Sequence, residues 1–250
     1  MSQTKAQLLN PLSGVVSSSD IKANSVNIGK GANSGTENTV LGANALDADV
    51  SGGALTAVGF NALTNCTSGG SNTAIGRRTL EFVTTGQSNT AVGAKALNKN
   101  TGSSNTAVGL AALVENTTGA ENTAVGVNAL FSNTTASFNT ALGESALEVN
   151  TTGAANVAVG SRALDANTTG SNNTACGQAA LTASTTASNN TAVGRQALTA
   201  NTTGGNNTAI GHGCMDVNTT GQNNVAVGFQ AMDGNTTGDL STGIGYNALG

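Results

Sequence analysis

Residues 156–170 read NVAVGSRALDANTTG, and this motif recurs along nearly the whole chain. Its first glycine returns at a fixed spacing: Gly42 and Gly245 are 203 residues apart in twelve steps, eleven of 17 residues and one of 16. The short step follows Gly93, where Asn100-Thr101-Gly102 has one residue fewer than the usual Asn-Thr-Thr-Gly. Self-similarity at a short, constant period is typical of solenoid proteins, in which each copy stacks on the next.

The length of the repeat decides the class of solenoid. Helical repeats use about 33 to 47 residues for a pair of helices, so seventeen are too few. Thr-Ala-Val favours a strand, and the glycine and the Asn-Thr-Thr-Gly cluster favour turns. The intervening segment, which ends in Ala-Leu, is compatible with a second strand or with a single helical turn. The sequence therefore predicts an all-β fold, a β-solenoid with one coil per seventeen residues.

The repeat also predicts the domain boundaries. We expect the solenoid to span residues 25–250, with about 13–14 coils, beginning with a degenerate copy at Ser25–Gly29. Residues 1–24 lack the repeat, contain the only proline, and carry a short apolar patch. We interpret them as a separate attachment segment anchored by Leu8, Leu9 and Pro11.

Two aliphatic positions recur in each unit, one directly before the glycine and one four residues after it. Their constant spacing predicts that equal side chains stack between successive coils and form the core. The predicted core ladder consists of Val58, Ile75, Val92, Val108, Val125, Val159 and Val193, and of Leu63, Leu97, Leu130, Leu164 and Leu198. The asparagine four residues before the glycine, as in Asn72 and Asn89, is expected to hydrogen-bond along a column of its own.

The alanine between Thr and Val bears on oligomeric state. Alternation places Thr and Val on one face of the strand and Ala on the other, so both faces are apolar or small. A solenoid on its own would carry polar residues on its outer face. We therefore predict that a second surface covers the alanines, most simply another copy of the chain in a homotrimer, although small residues could also sit inside tight coil corners.

The composition excludes several function classes. Only 9% of the residues are charged and 2% are aromatic, which argues against an enzyme. His212 has no evident catalytic partner, and Cys66, Cys176 and Cys214 are not spaced as metal ligands, so we predict no catalytic, cofactor-binding or metal-binding residues. The net charge of -4 with scattered basic residues argues against nucleic-acid binding, and no apolar run is long enough for membrane insertion.

Paired threonines such as Thr134-Thr135 and Thr151-Thr152 raise the alternative of an ice-binding solenoid. A flat grid of hydroxyl groups would need Thr-x-Thr, because adjacent residues of a strand point to opposite faces. Ice binding is therefore a lesser alternative.

The chain resembles a known group of proteins at two places. Residues 1–9, MSQTKAQLL, look like the start of tail-fibre-type structural proteins of marine bacteriophages, including cyanophages, and the NTAVGxxALxxNTTG units are similar to those of phage tail-fibre proteins. More loosely, the units resemble the SVAIG-type head repeats of trimeric autotransporter adhesins, with Ser25–Gly29 as the copy most like that motif. Adhesin repeats are shorter, and the self-cleaving chaperone domain that often follows phage repeats is missing before Gly250.

This resemblance implies a homotrimeric external fibre of a virion, on its tail, collar or capsid. Its N-terminus would dock on other virion proteins, and its shaft would contribute to attachment to a host-surface glycan or protein through variable residues such as Arg77-Arg78 or Phe229-Gln230. A bacterial surface adhesin or extracellular filament subunit is the alternative. A glycan-active enzyme is the weakest reading, because no paired carboxylates recur.

Overall fold

The computed structural model describes residues 21–23, 26–29, 37–48 and 51–250, and within them every regular element is a strand. The strands are β1 (Ile21–Ala23), β2 (Val26–Gly29), β3 (Thr39–Gly42), β4 (Thr56–Val58), β5 (Thr73–Ile75), β6 (Thr90–Val92), β7 (Thr106–Val108), β8 (Thr123–Val125), β9 (Thr140–Leu142), β10 (Val157–Val159), β11 (Thr174–Cys176), β12 (Thr191–Val193), β13 (Thr208–Ile210), β14 (Val225–Val227) and β15 (Thr242–Ile244). The predicted all-β solenoid is confirmed.

All strands belong to one sheet and follow one another in chain order. From β3 to β15 each strand pairs in parallel with the next, and equal positions of the repeat lie opposite each other, as Val58 does with Ile75. The register also holds across the 16-residue step, where Val92 pairs with Val108. The missing residue is therefore absorbed in the turn, and each unit makes one coil.

The first strands of the sheet differ from the parallel coils that follow them. Strand β2 runs antiparallel to both β1 and β3, with Ile28 opposite Leu41. Gly29 and Gly42 are thirteen residues apart rather than seventeen, which is too short for the complete coil of this repeat. The parallel coils accordingly begin at Thr39. The predicted attachment residues Leu8, Leu9 and Pro11 lie outside the described residues.

The interior contains columns of alanine, leucine and asparagine. In the coil around Gly126, the strand alanine Ala124, the later Ala129 and the adjacent Leu130 are all fully buried. The leucines predicted for the core have the same environment in every coil, with no exposed surface: Leu63, Leu97, Leu130, Leu164 and Leu198.

The valine half of the predicted core ladder was wrong, because these side chains lie on the outer face of the sheet. Thr123 and Val125 are half-buried while Ala124 between them is buried, and the other coils repeat this pattern. The corrected residues, all half-buried or exposed, are Val58, Ile75, Val92, Val108, Val125, Val159 and Val193. The inward position is an alanine in strands β4–β14 and the equally buried Val40 in β3. It shares the interior with the buried leucine and asparagine columns, so the coils that carry alanine have room for only a small side chain there.

The segment that ends in Ala-Leu is a turn, neither a second strand nor a helical turn. Its backbone includes left-handed residues, such as Asn128 at φ 57° and Leu130 at φ 52°. The Asn128 N–H donates to Leu110 in the preceding coil and the Leu130 N–H donates to Ala146 in the following coil. Left-handed conformations of non-glycine residues are costly and persist only where the surroundings fix them, so the stacked coils hold this turn in place.

Candidate functional site

The outer face of strands β3–β15, which we call the Thr/Val face, is a regular surface that runs along all the parallel coils. Its first column consists of Thr39, Thr56, Thr73, Thr90, Thr106, Thr123, Thr140, Val157, Thr174, Thr191, Thr208, Val225 and Thr242. Its second column consists of Leu41, Val58, Ile75, Val92, Val108, Val125, Leu142, Val159, Cys176, Val193, Ile210, Val227 and Ile244. Residues two apart in a strand point to the same side, so both columns share one surface.

This face is partly solvent-exposed and uncharged. Leu142 and Ile210 keep 39% and 40% of their surface exposed. Charged side chains occupy other columns, among them Glu121, Glu144 and Arg195, while neither column of the Thr/Val face contains one. The result is a continuous stripe of methyl and hydroxyl groups along the thirteen parallel strands.

The three cysteines are free and differ in their environment. Cys66 and Cys214 are buried, and burial raises the pKa of both thiols, that of Cys214 to about 11. Cys176 is exposed on the Thr/Val face, where it occupies the position that valine, isoleucine or leucine holds in the other coils. Among the described residues it is the one thiol accessible to reagents.

The predicted asparagine column is confirmed as a buried hydrogen-bond ladder. Both the backbone N–H and the Nδ2 of Asn89 donate to Oδ1 of Asn72, at 2.9 and 3.1 Å. The same Nδ2 donates to the carbonyl of Gly102 at 3.0 Å. The backbone bond to the preceding coil's amide oxygen recurs up to Asn224. Each amide thereby ties neighbouring coils together.

A second amide ladder, which the sequence analysis missed, is formed by the asparagine of Asn-Thr-Thr. Asn116 Nδ2 donates to Asn100 Oδ1 at 2.6 Å, and Asn133 Nδ2 donates to Asn116 Oδ1 at 2.8 Å. These residues are fully buried. The signal available in the sequence was the set of substitutes in this position, Cys66 and Val83, which indicate an interior site rather than an exposed turn.

The second ladder is interrupted at Ser184, which replaces asparagine. Within the described part of the chain, Asn167 Oδ1 and Ser184 Oγ are both buried and have no hydrogen-bond partner. On the other side of the gap, Asn201 Nδ2 donates to the Gly204 carbonyl but does not bond to the preceding coil, unlike Asn218. Ser184 therefore leaves buried polar groups unpaired.

The predicted variable residues occupy the outside of the coils. His212 stacks on Phe229 with ring centroids 5.3 Å apart, and Phe229 stacks on Tyr246 at 5.5 Å. Arg195 Nη1 lies 3.1 Å from His212 Nε2. The three rings are nearly parallel and form a stack on the outside of the last coils, where Phe229 and Tyr246 are exposed. Gln230 is half-buried.

Arg77 is exposed, whereas Arg78 forms an ion pair with Glu81 at 3.1 Å. Burial alone would raise the pKa of Glu81, but hydrogen bonds from Asn61 and Asn98 and the nearby Arg78 outweigh it and lower the pKa. This satisfied carboxylate is a structural link between three coils. It leaves Arg77 as the free cation of the Arg77-Arg78 pair.

Two other carboxylates have neighbours of like charge on adjacent coils. Burial and the neighbouring Asp233 raise the pKa of Asp216, and burial and the nearby Glu148 raise that of Asp165, where Arg162 opposes the shift. No group of three or more His, Cys, Asp or Glu side chains is placed to hold a metal ion in the part of the chain that the structure describes.

The Thr-Thr pairs of the turns do not form a flat grid. Thr134 Oγ1 donates to the carbonyl of Thr151 in the following coil at 3.2 Å, while the adjacent Thr135 is exposed. The second threonine of each turn is exposed, whereas most strand threonines on the Thr/Val face are half-buried and share that face with the aliphatic column.

Comparison with known proteins adds no functional assignment, since no family model and no curated protein matches the chain. The residues that the structure describes also include no helix long and apolar enough to span a membrane.

Proposed function

We propose that this chain is a non-enzymatic structural protein that forms the stiff shaft of an external phage-virion fibre and contributes to attachment to the host surface. The observation that carries the proposal is the uninterrupted parallel stack β3–β15, in which every repeat keeps its register. Twelve steps of about 4.8 Å give a shaft of about 58 Å.

The hydrogen bonds between coils support a role as a stiff shaft. Each coil is tied to its neighbours by strand pairing, by turn bonds such as that from Leu130 to Ala146, and by two amide ladders. In a solenoid each repeat contacts only its neighbours, so stiffness depends on these interfaces along the whole length. A molecule built in this way holds its two ends at a fixed separation.

The partners follow from the same proposal. Residues 1–24, with Leu8, Leu9 and Pro11, would dock on other virion proteins, and copies of the chain would associate, most simply as a homotrimer. A host-surface glycan or protein would contact exposed, variable side chains such as Phe229 and Tyr246. The arrangement around His212 supports a binding or structural role for these residues rather than catalysis.

Immunogold electron microscopy of particles from the source organism tests this proposal. We expect antibodies raised against the purified chain to label rods that project from virions, and antibody treatment to reduce particle adsorption to host cells. Labelling of bacterial surfaces in the absence of virions would overturn the virion assignment and favour the adhesin or filament subunit, which would use the same shaft.

Ice binding is a second candidate because the two outward columns of the Thr/Val face lie on one side of a regular sheet, although each strand offers Thr-x-Val rather than Thr-x-Thr. Its Thr and Val columns point to one side of a regular sheet, so hydroxyl and methyl groups alternate across a repetitive surface. A thermal-hysteresis measurement on the purified protein tests this candidate. Freezing and melting at the same temperature would eliminate it.

A further inference from the structure

We infer that the Thr/Val face is the surface through which copies of this chain pack on one another, side by side, parallel and in register. The parallel orientation rests on the proposed function, because a shaft with a single attachment end requires all copies to point the same way. The choice of face rests on the exposure and chemistry of strands β3–β15. The sequence predicted that copies meet at the strand alanines, but Ala124 and its equivalents are buried inside each coil. The Thr/Val face therefore takes their place in this inference.

The side chains of the Thr/Val face have the chemistry of an interface. Large aliphatic side chains on this face remain partly in water, with Leu41 46% and Ile75 40% exposed. The centre of a protein interface is depleted in charged residues, and contiguous exposed apolar surface marks interaction sites. The Thr/Val face meets both conditions along its whole length.

The Thr/Val face is large enough to form an interface. A stripe of about 58 Å by about 10 Å gives about 600 Å² per copy and about 1,200 Å² per pair, which is the lower limit of standard stable interfaces. In a closed ring of three copies, flanking columns would add to each contact. The stripe is therefore long enough to hold copies together, although it is narrow.

The repeat spacing of the Thr/Val face favours a second copy of this chain as the partner. The side chains of each column repeat at the strand spacing of about 4.8 Å, so the ridges and gaps have that same period. A partner surface fills them continuously only if it has the same period, and a second copy of this chain does. Packing in parallel and in register places each residue near its own counterpart on the neighbouring copy.

Cys176 makes this arrangement directly testable, because it lies on the face and would approach Cys176 of the neighbouring copy. The native full-length protein is treated with a short bismaleimide and run on a denaturing gel, while light scattering measures its mass in solution. We expect a multiple of 24.2 kDa and a covalent dimer band. The buried Cys66 and Cys214 should not react in the folded protein.

Two variants control for chance collisions. Cys176→Ser should abolish the dimer band without changing the mass in solution. Adding Thr169→Cys to that variant places a thiol on an exposed turn outside the Thr/Val face, and it should not restore the band. An oligomer that does not cross-link through Cys176, or that links as well through the turn cysteine, would overturn the inference and leave the fibre proposal standing.

A pair of charge substitutions tests the face itself. Val159→Glu with Val193→Glu places carboxylates on the two coils that flank Cys176, and should convert the oligomer to a monomer with an unchanged circular dichroism spectrum. The matched pair Thr152→Glu with Thr186→Glu, on exposed turns, should leave the mass unchanged. If the first pair fails to fold, the cross-linking of the native protein still decides the question. A monomeric native protein would overturn the inference, whereas imaging of virions tests the fibre proposal separately.

Discussion

The glycine that follows each strand is constrained twice, by its backbone angle and by its neighbour in the next coil. Gly126 has φ 139°, and a Cβ atom on it would lie 2.3 Å from the carbonyl oxygen of Gly143. Non-glycine residues rarely adopt such an angle. The recurrence of this glycine in the sequence therefore reflects a steric requirement of stacking.

Replacing this glycine should be far more damaging than replacing the glycine of the Asn-Thr-Thr-Gly turn. We expect Gly126→Ala to cost about 2–3 kcal/mol or more, because strain and a backbone clash add together. Gly153→Ala is the matched control: a Cβ atom there would also lie close to a carbonyl oxygen, that of Gly170 at 2.2 Å, but Gly153 lacks the positive φ. Ala136 and Ala187 already occupy the equivalent position in other coils, so the control should cost about 1 kcal/mol or less. Urea unfolding followed by circular dichroism measures both. Equal losses would contradict the assigned role of the strand glycine.

Filling the gap at Ser184 in the second amide ladder should raise the stability of the protein, whereas the glycine substitutions lower it. Ser184→Asn should restore the bonds to Asn167 and Asn201 and raise stability by about 1 kcal/mol, or about 2–4 °C in melting temperature for a chain of this size. Ser132→Asn, at a half-buried position outside the ladder, should have little effect. A destabilised Ser184→Asn protein would show that the ladder geometry does not extend through this coil.

At the scale of the strand, alternation shows what the sequence could and could not predict. The fixed spacing correctly predicted that Val58 pairs with Ile75, that Leu63 is buried and that Asn72 and Asn89 bond along a column. Alternation also required Ala and Val to face opposite sides, but it is symmetric and does not say which side is inside. The width of the interior decides that, and it depends on how the leucine and asparagine columns meet across the coil. The exposed Thr/Val face could therefore be identified only from the packing of the coil interior in the structure.

Single-residue deletions test whether the turn and the strand differ in their tolerance to a change in length. Deleting Thr135 leaves Asn133-Thr134-Ala136, a turn of the same length as the natural Asn100-Thr101-Gly102, so the coil should close with its strand register intact and lose little stability. Deleting Ala141 shifts the strand by one residue, which exchanges its inner and outer side chains and forces Leu142 or Thr140 into a site that holds only a methyl group. We expect the second variant to lose its cooperative thermal transition by circular dichroism. A similar loss for the Thr135 deletion would show that the turn, rather than the strand, determines register.

At the scale of the whole molecule, the repeats behave as interchangeable units because each contacts only its neighbours. Deleting residues 127–143 removes one complete period and joins Gly126 directly to Glu144, so every remaining strand still meets an equivalent partner. We expect the variant to fold into a shaft shorter by about 4.8 Å, with a far-ultraviolet circular dichroism spectrum like that of the native protein. Deleting residues 127–134, about half a period, is the control and should unfold or aggregate, because the following strand can no longer stack in register. Small-angle X-ray scattering of both variants measures the outcome, and equal tolerance of the two deletions would contradict a coil of seventeen residues as the unit of the fold.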